Sequence, residues 1–174
     1  MEIGSKKIKS LFMLDTNITY LNHGSFGACP KPIFNSLINW QKELEKEPVK
    51  YLAHDIAENL SNSRFSLSKY INCNKDDLVF FPNPSTALNT VLRSLDLNQG
   101  DEILTTNHEY GAMDRAWRFL CKKTGSKYIN QTINLPLENK EYFIEEFKKG
   151  ITNKTKIIFL SHITSPTALI FPVK

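Results

Sequence analysis

The chain has 174 residues, of which 41% are hydrophobic and 23% charged; these values fit one soluble globular domain and exclude a disordered or fibrous class. The net charge is only +4, and lysines lie among glutamates in helix-like segments such as "WQKELEKEPVK", so no nucleic-acid partner is expected. Three scattered cysteines and the lack of a long apolar run predict a soluble cytoplasmic protein without a disulfide framework, zinc site or membrane partner.

The first part of the chain predicts a loop followed by two helices. The loop, "YLNHGSFGACP", lacks the glycine spacing of a nucleotide-binding loop. Pro30 and Pro32 begin a helical apolar pattern that ends at Glu47-Pro48, and a second pattern runs from about residue 49 to residue 71. We therefore divide the chain after residue 48, into an N-terminal arm of residues 1–48 with the loop and first helix, and residues 49–174.

Beyond residue 72, short apolar runs alternate with helical patterns. Strands are predicted at "LVFF", "EILTT", "KYINQTI" and "KIIFLSH", with helices over residues 86–95, 111–123 and 139–149. This alternation predicts a mostly parallel sheet with helices on both faces. Gly100 and Gly125 lie at the expected helix-to-strand turns. Ligands of such sheets bind at the carboxyl ends of the strands, so the residues after each strand are the candidates for function.

Two hydroxyl-bearing residues, Ser85 and Thr86, follow "LVFF" and begin the next helix. The free N–H groups of a helix N-terminus attract a phosphate, and hydroxyls beside them would complete its binding site. Serine and threonine also act simply as N-caps, so the pair taken alone has two interpretations.

Ring and hydroxyl side chains follow two more strands. His108 and Tyr110 come after "EILTT", where an aromatic ring can stack on a planar ligand or a histidine can hydrogen-bond within a turn. Thr164 and Ser165 come after "KIIFLSH", in a segment that is also consistent with a turn. The four histidines have no metal-ligand spacing, and no metal is expected.

Four blocks in order, "YLNHGSFGACP", "NPSTALNTVLRSL", "GDEILTTNHEYGAM" and "SHITSPTALIFPVK", resemble the class V aminotransferase superfamily of fold type I pyridoxal-phosphate enzymes. Within that superfamily the chain is most similar to isopenicillin N epimerase-like proteins. The resemblance implies an α/β fold that is an incomplete fold type I large domain, preceded by a helical arm. It also implies pyridoxal 5'-phosphate as the cofactor, bound by Ser85, Thr86, His108, Thr164 and Ser165.

The resemblance implies a role for each of these positions. His108 is expected to stack on the pyridine ring, with Tyr110 as the alternative ring. Ser85 and Thr86 are expected to hold the phosphate, although the family commonly has Ala-Thr where this chain has Pro84-Ser85, which removes one backbone donor.

The remaining implied positions surround the cofactor ring and the substrate. Ser165, or Thr164 beside it, is expected to bond the phenolic oxygen of the cofactor. His23 and Gly24 lie in the N-terminal loop that faces substrate in the family.

The resemblance assigns no catalytic residue within the chain. In the family the Schiff-base lysine and the aspartate that pairs with the pyridine nitrogen both lie further along the chain, and Lys174 does not match that lysine. We therefore expect the 174-residue chain alone to be inactive, as a fragment, a split gene or a truncated gene model. The "LVFF" strand would then lack its neighbouring strand.

Two functions of different classes follow from these observations. The first is part of a pyridoxal-phosphate enzyme that acts on an amino-acid or amine substrate by epimerase, desulfurase, lyase or transaminase chemistry, as a homodimer when complete. The second is a non-catalytic α/β module that uses Ser85 and Thr86 to bind a phosphorylated small molecule. A non-catalytic partner of an intact homologue is a third possibility.

Overall fold

The computed structural model describes residues 5–173. It contains two compact units, Met1–Val79 and Phe80–Lys174. The predicted boundary between residues 48 and 49 falls inside the first unit, and the division into an arm and a large-domain part stays a prediction.

The first unit is helical. Its elements are α1 (Ser5–Ser10), α2 (Lys31–Lys46), the short α3 (Pro48–Lys50), a π-helical turn (Tyr51–Asp55), α4 (Ile56–Ile71) and a 3₁₀ turn (Lys75–Asp77). Pro32 lies in the first turn of α2, where its missing N–H costs nothing. Asn72 ends α4 in the left-handed conformation, with φ 56°. Both predicted helices are confirmed, the second with a π-helical turn near its start.

The second unit alternates helices and strands. Its elements are α5 (Pro84–Ser94), β1 (Glu102–Thr106), α6 (Gly111–Thr124), β2 (Lys127–Gln131), α7 (Lys140–Lys148) and β3 (Thr155–Ile158). The strands form one parallel sheet in the order β2-β1-β3. Gly100 and Gly125 have φ of 89° and 75° at the turns that precede β1 and β2. The predicted parallel sheet and its three helices are confirmed.

The central strand β1 is buried on both faces. Ile103 packs with Leu92 of α5 and Trp117 of α6 in one apolar cluster. Leu104 faces the opposite side and packs with Phe143 of α7 and with a second group of buried residues, Ile133, Phe147 and Phe171. Burying each of these side chains stabilises the fold by roughly 1.5–3 kcal/mol. After Glu102, the sequence of β1 is therefore a continuous apolar and threonine run, Ile103 to Thr106, instead of an alternating one.

The predicted strand at residues 78–81 is wrong. Leu78 has extended dihedral angles (φ −106°, ψ 131°), but the segment pairs with no strand of the described chain. Val79, Phe80 and Phe81 are 73%, 49% and 41% exposed. The physical reason is that an extended segment becomes a strand only when a neighbour accepts its ladder hydrogen bonds, and residues 5–173 place no neighbour there.

Residues 5–173 contain neither a membrane-spanning helix nor a cluster of metal-ligating side chains. Within this range no helix combines the length and the apolar character needed to cross a bilayer. The same residues contain no group of three or more histidine, cysteine, aspartate or glutamate side chains arranged to hold a metal ion.

Candidate functional site

The N-terminus of α5 and the carboxyl end of β1 lie at the same edge of the sheet. Leu92 of α5 packs against Ile103 of β1, and residues 95–101 return the chain to the start of β1. An 11-residue helix spans about 16 Å, and a five-residue strand spans about 17 Å. The start of α5 therefore reaches the level at which β1 ends.

The N-terminus of α5 is capped by Asn83, which was not among the residues predicted from the sequence. The Asn83 Oδ1 atom accepts hydrogen bonds from the Thr86 N–H, at 2.8 Å, and from the Thr86 hydroxyl, at 3.1 Å. Pro84 at the first helical position has no N–H to offer. The signal was present, because asparagine is a preferred N-cap and proline a preferred first residue of a helix.

Ser85 keeps donors that a ligand can use. Its N–H lies in the first helical turn, where no intrahelical acceptor exists. Its hydroxyl makes no hydrogen bond to any other residue between 5 and 173, and its side chain is partly exposed. The positive end of the α5 dipole adds to the attraction for a phosphate. Of the two residues predicted to bind the phosphate, Ser85 thus has a free N–H and hydroxyl, whereas both donors of Thr86 are hydrogen-bonded to Asn83.

Residues 107 and 108 are attached to the segment that follows β2. The Asn107 Oδ1 atom accepts a hydrogen bond from the Ile133 N–H at 2.8 Å. The His108 Nε2–H donates to the Ile133 carbonyl oxygen at 2.7 Å, because a carbonyl oxygen can only accept. His108 is 9% exposed, and its ring lies 5.9 Å from that of Phe171 at an interplanar angle of 74°. The His108 ring is therefore buried and packed at the carboxyl end of β1.

Glu109 attaches the same segment to the residues after β3. The residue is 9% exposed, and its carboxylate accepts two hydrogen bonds from Ser161, one from the N–H at 2.8 Å and one from the hydroxyl at 2.6 Å. Charged acceptors make such bonds strong. Glu109 was not among the residues predicted from the sequence; the signal was a carboxylate between two ring residues, just after a buried strand.

Tyr110 follows Glu109 and is the exposed ring of this edge. It is 50% exposed and lies at the N-cap position of α6. Its carbonyl oxygen accepts hydrogen bonds from the N–H groups of Met113 and Asp114, at 2.9 and 3.0 Å. The backbone of Tyr110 is therefore fixed while its ring faces solvent.

An open cleft of about 330 Å³ lies beside this turn. Its lining includes Thr106, Glu109, Gly111, Asp114 and Asn130. Arg118 donates from Nε and from one terminal nitrogen to the Asp114 carboxylate, at 2.7 and 3.1 Å, and the pKa of Asp114 is lowered chiefly by these hydrogen bonds.

The pKa of the Tyr128 phenol is raised well above its ordinary value. The main cause is burial, and the second is the nearby Asp114 carboxylate. The phenol therefore stays neutral at physiological pH.

Thr164 and Ser165 differ in what they can offer a ligand. Thr164 is fully buried; its hydroxyl accepts a hydrogen bond from the Leu169 N–H at 3.0 Å and forms a second hydrogen bond with the Thr167 hydroxyl at 2.8 Å. Ser165 is exposed. The Thr164 hydroxyl is thus used in hydrogen bonds within the loop 164–169, whereas the Ser165 hydroxyl is exposed to solvent. Phe171, after the loop, contacts His108.

His23 and Gly24, predicted to face substrate, belong to the first unit and are exposed. The His23 ring lies 4.9 Å from that of Tyr20 and 5.4 Å from that of Phe12. Its Nδ1 atom accepts a hydrogen bond from the Ala28 N–H at 3.4 Å. Lys174 lies outside the described residues.

A match to a family model identifies the family to which the chain belongs. The model described as aminotransferase class-V matches residues 30–174, which is most of the chain. The chain belongs to the class V aminotransferase family. The resemblance carried by the four sequence blocks is therefore confirmed.

Relatives of the class V chain include an isopenicillin N epimerase of Amycolatopsis lactamdurans, 28% identical over 91% of this chain and 40% of the relative. An L-cysteine desulfhydrase of Arabidopsis thaliana is 21% identical over 91% of this chain and 38% of the relative. The chain thus spans about two fifths of the length of these relatives.

A solved structure of the cystine C-S lyase C-DES, in complex with its product cysteine persulfide, matches with a TM-score of 0.79. It is 23% identical and covers 90% of this chain and 42% of the lyase. A variant of that lyase carries glycine covalently linked to its PLP cofactor and matches with a TM-score of 0.77. The predicted fold, an incomplete fold type I large domain, is confirmed, and pyridoxal phosphate is the cofactor of the family.

Proposed function

We propose that this chain is the cofactor-binding part of a pyridoxal-phosphate enzyme that acts on an amino-acid or amine substrate. The observation that carries the proposal is the family match together with a ring and free donors at one edge of the sheet. When bound, pyridoxal phosphate supplies an electron-accepting ring for bond breaking at the α-carbon of an amino acid. Epimerase, desulfurase, lyase and transaminase reactions all use that property.

The residues at this edge fit a phosphorylated pyridine. Ser85 supplies an N–H and a hydroxyl to the phosphate at the positive end of α5, and Thr86 joins it if its hydroxyl turns away from Asn83. Because Pro84 contributes no donor, Ser85 holds most of the phosphate. Ser165 supplies the exposed hydroxyl for the phenolic oxygen, with Thr164 holding the shape of its loop.

The stacking ring in this proposal is Tyr110, the alternative of the sequence prediction. His108 remains the first prediction from sequence, but its ring is buried and its Nε2–H is bonded to Ile133. A ring that stacks on a ligand needs one free face, and Tyr110 is half exposed at the same strand end. In this arrangement His108 fixes the turn and Tyr110 contacts the cofactor.

The wider properties of the complete protein belong to the same proposal. It acts as a homodimer, which is consistent with an exposed apolar row on α2 formed by Ile33, Leu37 and Trp40. It works in the cytoplasm, where Cys29, Cys73 and Cys121 stay reduced as free thiols. His23 and Gly24 contribute to the substrate side. The 174-residue chain by itself has no turnover.

The test is equilibrium dialysis of the purified chain with pyridoxamine 5'-phosphate, which lacks the aldehyde that would react with lysines. We expect saturable binding that Y110A weakens about five- to tenfold through the lost ring contact, and that S85A weakens further. Tyr70 is an exposed tyrosine on α4, and Y70A is the matched control with unchanged binding. If H108A and not Y110A abolishes the stacking signal, the ring assignment is reversed.

A non-catalytic module that binds a phosphorylated small molecule is distinguished by the ligand. If only the phosphate site at Ser85 binds the ligand, the non-catalytic module is favoured, because the N-terminus of α5 recognises phosphate and not the pyridine ring. Ribose 5-phosphate binding as tightly as pyridoxamine 5'-phosphate would support the module. Strong preference for the pyridine compound supports the enzyme, and the complete protein is then assayed for release of sulfide, for epimerisation and for amino-group transfer.

A further inference from the structure

The crevice between the carboxyl ends of β1 and β2 lies where the chain leaves the sheet in two directions. After β1 the chain enters α6, which packs on the Ile103 face of the sheet, and after β2 it enters α7, which packs with Leu104 on the opposite face. Such a divergence between neighbouring parallel strands opens a space in which α/β proteins bind ligands. The open cleft of about 330 Å³ lies here, since its lining includes Thr106 at the end of β1 and Asn130 near the end of β2.

The N-terminus of α6 borders this cleft and has no side-chain cap. Tyr110 at the N-cap position makes no side-chain hydrogen bond to the first turn. The N–H groups of Gly111 and Ala112 have no acceptor within the helix, and Gly111 lines the cleft. The positive end of the dipole of this 14-residue helix therefore faces a space that a ligand can enter.

An arginine without an ion-pair partner lies at the same helix end. A Cβ atom added to Gly111 would lie 3.5 Å from a terminal nitrogen of Arg115, which places the guanidinium group beside the first turn of α6. Arg115 is exposed and makes no ion pair or hydrogen bond with any residue between 5 and 173. A positive charge beside a helix N-terminus opposes the dipole and destabilises the helix. An anion bound between Arg115 and the free N–H groups removes that conflict.

Two buried hydroxyl groups on the same face of the sheet lack partners. The Thr105 and Tyr128 hydroxyls make no hydrogen bond within the described chain, and Thr105 is 0% exposed. Thr105 is the register partner of Asn130, so both side chains project to the face that α6 covers, where Asn130 contacts Asp114. Buried polar atoms nearly always have a hydrogen-bond partner. The cleft that Asn130 lines is a polar space on this face, from which a ligand oxygen, or a water bound beside it, supplies one.

The charges around the cleft favour a singly charged ligand. Arg115 and Arg118 contribute two positive charges. Glu109 and Asp114 contribute two negative charges, so the formal charges cancel. The N-terminus of α6 adds roughly half a positive charge. One carboxylate is thus compensated, whereas a phosphate group, with about 1.5 to 2 negative charges at neutral pH, is not.

We infer that the crevice between β1 and β2 is a ligand site that binds the carboxylate of a small monoanionic acid through Arg115 and the free N–H groups at the start of α6. A guanidinium group matches a planar carboxylate with two parallel hydrogen bonds. None of the residues proposed to hold the cofactor phosphate or its phenolic oxygen lines this cleft. The site therefore goes beyond the proposed function and does not depend on it.

The experiment is an NMR titration of the ¹⁵N-labelled 174-residue chain with sodium acetate, with sodium chloride at equal ionic strength as the reference. We expect acetate to shift the amide resonances of Gly111 and Ala112 saturably, while chloride leaves them in place. R115A should weaken acetate binding by about tenfold through the loss of a charge-assisted contact. The matched control is R93A, which removes an exposed arginine from the last turn of α5 and should leave the affinity unchanged.

A stability measurement gives opposite signs with and without the ligand. Without acetate, the urea midpoint of R115Q should equal or slightly exceed that of the wild type, because a positive charge has been removed from the helix N-terminus. With acetate, the midpoint of the wild type should rise through ligand binding and exceed that of R115Q. A merely structural Arg115 would give a lower R115Q midpoint in both conditions, and that result would overturn the inference.

Other results separate this site from the proposed cofactor site. Equal shifts with chloride, shifts that do not saturate, or unchanged acetate affinity in R115A would each overturn the inference. Inorganic phosphate should shift the amide of Ser85, which belongs to the proposed cofactor site. Phosphate binding at Gly111 more tightly than acetate would overturn the assignment of a carboxylate ligand. Loss of the Ser85 response alone would count against the proposed function, while saturable acetate binding at Gly111 would still support the inference.

Discussion

Substituting Gly150 by alanine tests how tightly the sheet packs against the segment after α7. Gly150 is buried, and a Cβ atom added there would lie 2.5 Å from Leu104 Cδ1 and 3.1 Å from Gln131 Oε1. Carbon atoms prefer separations of about 3.5–4.0 Å. Roughly 1 Å of overlap must therefore be relieved by movement of Leu104.

The cost follows from where Leu104 lies. It is 0% exposed and enclosed by Phe143, Phe171 and other members of its apolar cluster. Overpacking a well-packed core costs about 1–3 kcal/mol, and replacing glycine by alanine returns about 0.4–1 kcal/mol from the unfolded chain. We expect G150A to lower the free energy of unfolding by about 1–2 kcal/mol.

The assay is urea denaturation followed by far-UV circular dichroism. The control is G111A, because the new Cβ atom would meet only the Arg115 terminal nitrogen at 3.5 Å, at the first position of α6. G111A should be neutral or slightly stabilising. A G150A midpoint equal to or above that of the wild type would refute the close packing of this segment on β1.

Three further predictions concern groups near the site. N83A should lower the free energy of unfolding by about 1 kcal/mol, measured in urea, since it removes the cap of α5; N83S should recover most of the loss. Y128F should leave stability unchanged or raise it slightly in the same assay, because the buried Tyr128 hydroxyl has no hydrogen-bond partner among residues 5–173. The lowered pKa of Asp114 means that its contribution to stability is present above its ordinary pKa and is lost as pH falls through the lower folded value; D114N should flatten that part of the acid unfolding curve.

The parts of the fold that sequence could predict are those set by local periodicity. The run from Glu102 to Thr124 reads as a buried strand, a turn and an amphipathic helix, and each pattern is complete within about ten residues. Gly100 and Gly125 mark their turns because only glycine readily adopts positive φ. The structure follows these predictions closely.

The parts that sequence missed depend on contacts between distant residues. "LVFF" has strand composition, but a strand exists only with a partner, and composition alone does not contain that partner. Sequence could place His108 and Tyr110 at one strand end, but their different exposure depends on Ile133 and Phe171, which arrive from later in the chain. The environment of Glu109 likewise depends on its hydrogen bonds with Ser161, 52 residues further along the chain.

The exposed segment at residues 78–81 has a consequence for how the chain behaves at high concentration. An unpaired apolar run of this kind is a template for side-by-side association of chains. Asp76 and Asp77 precede it and Pro82 follows it, so the run is shorter than the five to seven residues, by rough rule, that favour β-aggregation. These three residues act as gatekeepers: charge repulsion on one side and a missing donor on the other limit self-association. Salt, which screens the two aspartates, should therefore promote it.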